Sequence, residues 1–142
     1  MGKNIRIATV LSTFLILTLH MGGAFGGFYE ARADFDIPLH LLGGFWIGTL
    51  LLFFYGSYAR GAFFEDRDRA TRVLFLVAFV ALIGVLWEFF EFGVSSLSVL
   101  LGHAAPGTGQ TYADTLGDLA LDLVGGSLAG VFFIRGKPAL KN

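Results

Sequence analysis

Cysteine is absent from this chain of 142 residues, which excludes disulfides, thiolate metal ligands and a cysteine nucleophile. Charge is scarce too: Asp, Glu, Lys and Arg together make up 15% of the residues, against 55% hydrophobic ones, and the mean hydropathy is +0.71. That balance is too apolar for a soluble surface. The formal net charge of −1 selects no charged partner, because an average over such a chain hides where the charges lie. No nucleic-acid partner is expected, and membrane lipids are.

What the chain has in quantity is long apolar segments. Crossing a hydrocarbon core of about 30 Å at 1.5 Å per residue takes roughly 20 residues. Segments of that kind run over about 7–28, 37–58, 73–94 and 112–134. The sequence therefore predicts an all-α membrane protein of four transmembrane helices with short connections, residues 1–142 forming one integral membrane domain. The first segment is too long for the apolar core of a signal peptide, despite a cleavage-like Ala31-Arg32-Ala33, and is read as a retained helix. Residues 59–72 mix Arg60, Arg67, Arg69 and Arg72 with Glu65, Asp66 and Asp68 and read as a solvated loop. Residues 95–111, with Pro106, Gly107 and Gly109, read as a flexible turn.

Basic residues near membrane segments are retained on the cytoplasmic side. Four spans put the N-terminus, the middle loop and the C-terminus on one side. There lie Lys3, Arg6, Arg60, Arg67, Arg69, Arg72, Arg135, Lys137 and Lys141, nine of the 10 basic residues, with only Arg32 opposite. The expected location is the inner (plasma) membrane with both termini cytoplasmic.

No Lys or Arg falls within a span, yet His20, His40, Glu88, Glu91, Asp114, Asp118 and Asp122 do. Ionisable groups inside a bilayer are costly and functional by default. With the outer helix ends fixed by topology, His40 lies about one turn deep and Glu88 about 9 Å deep, with Asp118 at a similar level. Glu88 and Glu91 share a face at i, i+3. Asp114, Asp118 and Asp122 share one at i, i+4, i+8, continued by Gly126 and Gly130 as a small-residue ridge for close helix contact. Clustered carboxylates in a low dielectric need protons or a cation. The candidate metal ligands are His40, Glu88, Glu91, Asp114, Asp118 and Asp122. His40, Glu88 and Asp118 are the candidates for chemistry. Oxygen donors with one imidazole suit a divalent cation, Mg²⁺, Mn²⁺ or Ca²⁺, without excluding Zn²⁺ or Fe²⁺. For Asp114 a helix-dipole role is the competing reading.

Other polar features have blander readings. His20 reads as a packed neutral histidine, and His103 as exposed. Glu30, Asp34 and Asp36 read as solvated interfacial residues. The pairs Gly22/Gly26 and Gly23/Gly27 have no Walker spacing and read as close-packing positions. Trp46, Trp87 and the phenylalanines read as lipid-facing or core residues.

The ordered set His40-Leu41-Leu42-Gly43-Gly44-Phe45, Trp87-Glu88-Phe89-Phe90-Glu91 and Asp114-Thr115-Leu116-Gly117-Asp118-Leu119 with Asp122 resembles the VanZ-like small membrane proteins and the related YjdF-type inner-membrane proteins. The resemblance covers roughly residues 34–130 and implies a role in the cell envelope without supplying a reaction. The leading functional expectation is an outward-facing carboxylate/His site that binds a divalent cation and acts on, or holds, an envelope lipid or phosphate headgroup. Two alternatives stand beside it. One is a proton- or cation-coupled transporter, for which four helices favour a homodimer, and the other is a structural subunit whose acids lock helix packing. Whether the chain is an enzyme stays open at this stage, since no serine, cysteine or lysine nucleophile is evident.

Overall fold

The computed structural model describes residues 3–26, 35–58, 67–103 and 111–134. The basic residues Arg32, Arg60, Arg135, Lys137 and Lys141, and Pro106 with its neighbours, lie outside the described residues. Four helices make up nearly all of what is described: α1 (Lys3–Gly26), α2 (Ile37–Tyr58), α3 (Arg69–Leu100) and α4 (Tyr112–Phe133). Each is long and apolar enough to cross a membrane, and no strand occurs among the described residues.

Local chemistry sets the helix ends. The carbonyl of Asp36 accepts from the amides of Leu39 and His40 at 2.8 and 3.0 Å, and Pro38, which lacks an amide hydrogen, occupies the first turn of α2 where none is needed. Asp68 caps α3 by accepting from the Thr71 amide at 2.9 Å and the Thr71 hydroxyl at 2.6 Å. Helix α3 therefore begins at Arg69, four residues before the expected Val73, inside what reads in sequence as loop. It also runs past Val94 to Leu100, because nothing from Ser95 to Leu100 breaks a helix. It stops at Gly102, whose φ of +80° is the left-handed conformation that glycine adopts freely. The expected turn thus surrenders its first six residues to a helix of 32 residues, about 48 Å long at 1.5 Å per residue.

Helix α2 is apolar on every face and sits at the centre, as such a helix should. It packs most extensively on α4, and also on α1 and α3, while α4 packs on α3 as well. α2 and α4 run parallel and very close. A Cβ added at Gly44 would overlap the carbonyl of Asp122, and one at Gly125 would overlap that of Leu41. One turn along, a Cβ at Gly48 would stand 2.8 Å from the Cβ of Ala129. The Gly126/Gly130 ridge meets α3, at Val80 and Val73 respectively. Gly22, by contrast, faces open space, so its expected close-packing role is not realised.

The apolar core gathers at one end of the bundle, where Ile5, Leu52, Leu76, Val80 and Ile134 cluster. At that end Arg69 donates to the carbonyls of Ile134 at 3.0 Å and Val131 at 3.2 Å, satisfying the last turn of α4 as a basic side chain does at a helix C-terminus. α1 is attached differently: the Trp46 indole donates to the Thr13 hydroxyl at 2.7 Å. Thr9, Ser12 and Thr13 return their own hydroxyls to carbonyls three or four residues back, so the polar stripe of α1 costs little in an apolar setting. The opposite end of the bundle holds the polar residues of α2, α3 and α4.

Candidate metal centre

Three helices each deliver one donor to a common point. His40 in the first turn of α2, Glu88 on α3 and Asp118 on α4 place a ring nitrogen and two carboxylate oxygens within 4.8 Å of one another. All three residues are buried, each at 8% exposure. Ligand atoms around a divalent first-row cation at about 2.0–2.2 Å stand about 3.0–3.6 Å apart unless they are trans to one another, so the group closes on an ion with side-chain movements of up to about an ångström.

His40 has a carboxylate on each side. Its Nε2 lies 3.7 Å from Oδ1 of Asp118, and its Nδ1 lies 3.6 Å from Oδ1 of Asp122. Neither distance is a hydrogen bond as it stands, but both are a small side-chain adjustment from one. With Nδ1–H aimed at Asp122, the imidazole presents the Nε2 lone pair to the side where Asp118 and Glu88 lie. Metal-bound histidines are oriented in this manner by a carboxylate on the other nitrogen.

Glycines make the room. The Asp122 carboxylate lies where a Cβ on Gly84 would stand 2.7 Å from its Oδ2, and one on Gly43 would stand 3.7 Å from its Oδ1. Gly84 is four residues before Glu88 and Gly43 three after His40, so each lies on the same helix face as a donor. The sequence assigns Gly84 no role and names Gly43 only within the His40–Phe45 motif, although the spacing of both from the donors is present in it. Thr115 on α4 lies beside Glu88, but Glu88 Oε1 is buried without a hydrogen-bond partner among the described residues. An unsatisfied carboxylate oxygen in an apolar interior is costly. It fits a group whose partner is a ligand.

The remaining candidates go elsewhere. Glu91 accepts from the Trp87 indole at 2.9 Å and is half-buried beside the group rather than in it. Asp114 is exposed and committed to a capping box, accepting from the Thr111 amide at 3.0 Å and hydroxyl at 2.7 Å. The structure does not bring Asp114 to the metal group, and Thr111-x-x-Asp114 is a capping signature legible in sequence. His20 is exposed at the rim of a cavity rather than packed, and His103 is exposed.

What this arrangement can do follows from its charge and donors. Two carboxylates and a neutral imidazole neutralise a divalent cation in a setting where net charge is expensive. Asp118 and Asp122 also stand on opposite sides of the His40 ring, each beyond hydrogen-bond length. No curated protein and no solved structure matches the chain. A family model described as "Predicted membrane protein (DUF2238)" matches residues 3–137, nearly the whole chain and all four helices. The chain belongs to that family of membrane proteins.

Proposed function

We propose that this membrane protein holds a divalent cation between α2, α3 and α4 through His40, Glu88 and Asp118, and that the cation engages an envelope lipid or phosphate headgroup. The observation that carries the reading is the buried Glu88 Oε1, without a hydrogen-bond partner among the described residues and within reach of a second carboxylate and an imidazole. A mixed oxygen and nitrogen donor set favours Mn²⁺ or Zn²⁺ over Mg²⁺ and Ca²⁺, whose preference is for oxygen alone. Such an ion would polarise a phosphoryl oxygen or activate water. Asp122 would hold His40 in the ligating tautomer.

The test is cation binding by the purified chain. After chelation, titration with Mn²⁺, Zn²⁺, Mg²⁺ and Ca²⁺ should show a single saturable site by calorimetry, with Mn²⁺ also followed by electron paramagnetic resonance. Glu88→Gln and Asp118→Asn should each abolish it. A second reading, a proton- or cation-coupled transporter, has in its favour the carboxylate on either side of His40. Failure of every cation to bind, together with a pH-driven ion flux in vesicles that Asp118→Asn removes, would decide for transport. Failure of both would leave the acids as packing residues.

A further inference from the structure

A cavity of about 320 Å³ opens between α1 and α3 over the face of α2. His40 and Asp122 stand on its wall, whereas Glu88 and Asp118 do not line it, so it is a compartment beside the metal centre. Its size is at the lower end of ligand pockets, about 300–1,000 Å³. It takes a narrow molecule.

The lining changes in one direction along all three helices. Inward from the polar end of the bundle, α1 goes from His20 to Ile16, α2 with the residue that precedes it from Asp36 to Ile47, and α3 from Glu91 to Val80. The polar end lies toward the helix termini and the apolar end toward the middle of the spans, which is the orientation of a lipid in one leaflet. The acids at that end are Asp36 and Glu91, beside the imidazole of His20, with the Asp122 carboxylate deeper, at the level of Gly43 and Gly84; no Lys or Arg lines the cavity among the described residues. An anionic head is repelled there, while a primary ammonium carries three N–H donors, as the lysine ammonium does. An apolar body with a few converging polar groups is the usual make-up of a small-molecule site.

We infer that the cavity binds one acyl chain of an amine-headed membrane lipid, the chain against Ile16, Ile47 and Val80 and the ammonium between Asp36 and Glu91. Entry is lateral, between α1 and α3. The inference goes beyond the cation reading and does not require an ion, because Asp36 and Glu91 lie outside the three-donor group.

The chain carries its own reporter, since both of its tryptophans, Trp46 and Trp87, line this cavity. The protein is reconstituted in phosphatidylcholine vesicles containing a small, fixed mole fraction of chain-brominated phosphatidylethanolamine or, in parallel, of equally brominated phosphatidylglycerol. Bromine quenches only a neighbouring indole. Trp87→Phe leaves Trp46 as the sole emitter and removes the background from Trp87, which is 42% exposed. Quenching of Trp46 by the ethanolamine lipid should exceed that by the glycerol lipid several-fold, and Asp36→Asn and Glu91→Gln should bring the two together. Ile16→Phe, which fills the apolar end and touches no acid, should lower quenching by both. Equal quenching of Trp46 by both lipids in the otherwise native chain, or stronger quenching by the glycerol lipid, would overturn the inference. So would an ethanolamine preference that disappears on chelation but survives Asp36→Asn, because the head would then be read by the cation. Preference that persists in a chain that binds no cation would defeat the metal reading alone.

Discussion

Gly44 of α2 lies so close to the main chain of Asp122 on α4 that a Cβ at position 44 would overlap the Asp122 carbonyl. The obstacle is backbone on a packed helix, and it cannot swing aside as a side-chain tip does. Gly44→Ala should therefore push α2 from α4, at a cost of about 1–3 kcal/mol, typical of overpacking. Gly22→Ala, at a position open to 4 Å, should be neutral or stabilising by up to about 1 kcal/mol through helix propensity. Unfolding in mixed micelles measures both. Equal effects would contradict the tight α2/α4 contact.

Gly84 offers a different outcome, because what its Cβ would meet first is the Asp122 carboxylate, the movable end of a side chain. Gly84→Ala should leave the melting transition nearly unchanged while weakening cation binding. A loss of stability as large as that of Gly44→Ala would show that Asp122 is held rigidly.

Asp122 is expected to act through His40 without ligating. Asp122→Ala should lower cation affinity about 10–100-fold, as loss of a histidine-orienting carboxylate does, and Asp122→Asn, which keeps an acceptor for Nδ1–H, should lower it less. Asp114→Asn should leave affinity unchanged. Calorimetric titration of the three variants checks the order, and a large effect at Asp114 would refute the capping role assigned to it.

The Trp46–Thr13 bond joins α1 to α2 across the apolar interior. Thr13→Val removes the acceptor and should cost about 0.6–2 kcal/mol, the range for interhelical hydrogen bonds in membranes. Thr18→Val, whose hydroxyl serves only its own helix, should cost less. The comparison is made by thermal unfolding.

Hydrogen bonds from the Thr71 hydroxyl, and then from its amide, hold the Asp68 carboxyl below the usual carboxylate range. A depressed folded value means that the cap is fully effective above the unfolded carboxylate pKa of about 4 and is lost as pH falls toward the depressed value. Hydrogen exchange at Thr71 and Arg72, compared at matched intrinsic rates, should show protection that declines over that window. In Asp68→Asn the protection should persist with no such decline.

The orientation proposed rests on the basic residues alone, nine of 10 of which fall in the N-terminal, middle and C-terminal segments. Single cysteines at Ser57 and Gly107 in this cysteine-free chain should differ toward an impermeant maleimide, with labelling from outside at 107 and not at 57. The reverse pattern would invert the topology.

The four spans were legible because length and polarity are one-dimensional properties. α2 came out with the residues expected, Ile37–Tyr58, because Asp36 and Pro38 mark its start. α3 did not, because its ends depend on a cap at Asp68 and on a glycine at 102, and Ser95, Ser96 and Ser98 interrupt the apolar run ahead of that glycine. The meeting of His40, Glu88 and Asp118 was legible from depth, since topology fixes how far each lies from its helix end. Depth carries no information on which neighbour a side chain faces. Glu91 is drawn to Trp87 and Asp114 to Thr111 by partners on their own helix or cap, and the contact of Gly44 and Gly125 exists only once α2 and α4 lie parallel.

The parallel α2/α4 contact also bears on how such a chain is made. α4 enters the membrane carrying Asp118 and Asp122, and until it docks neither has a counterpart. The smooth glycine flank of α2 is already in place by then, being earlier in the chain. Docking moves the two aspartates from lipid into protein beside His40, so the last helix is committed to the bilayer by its neighbours as much as by its own composition.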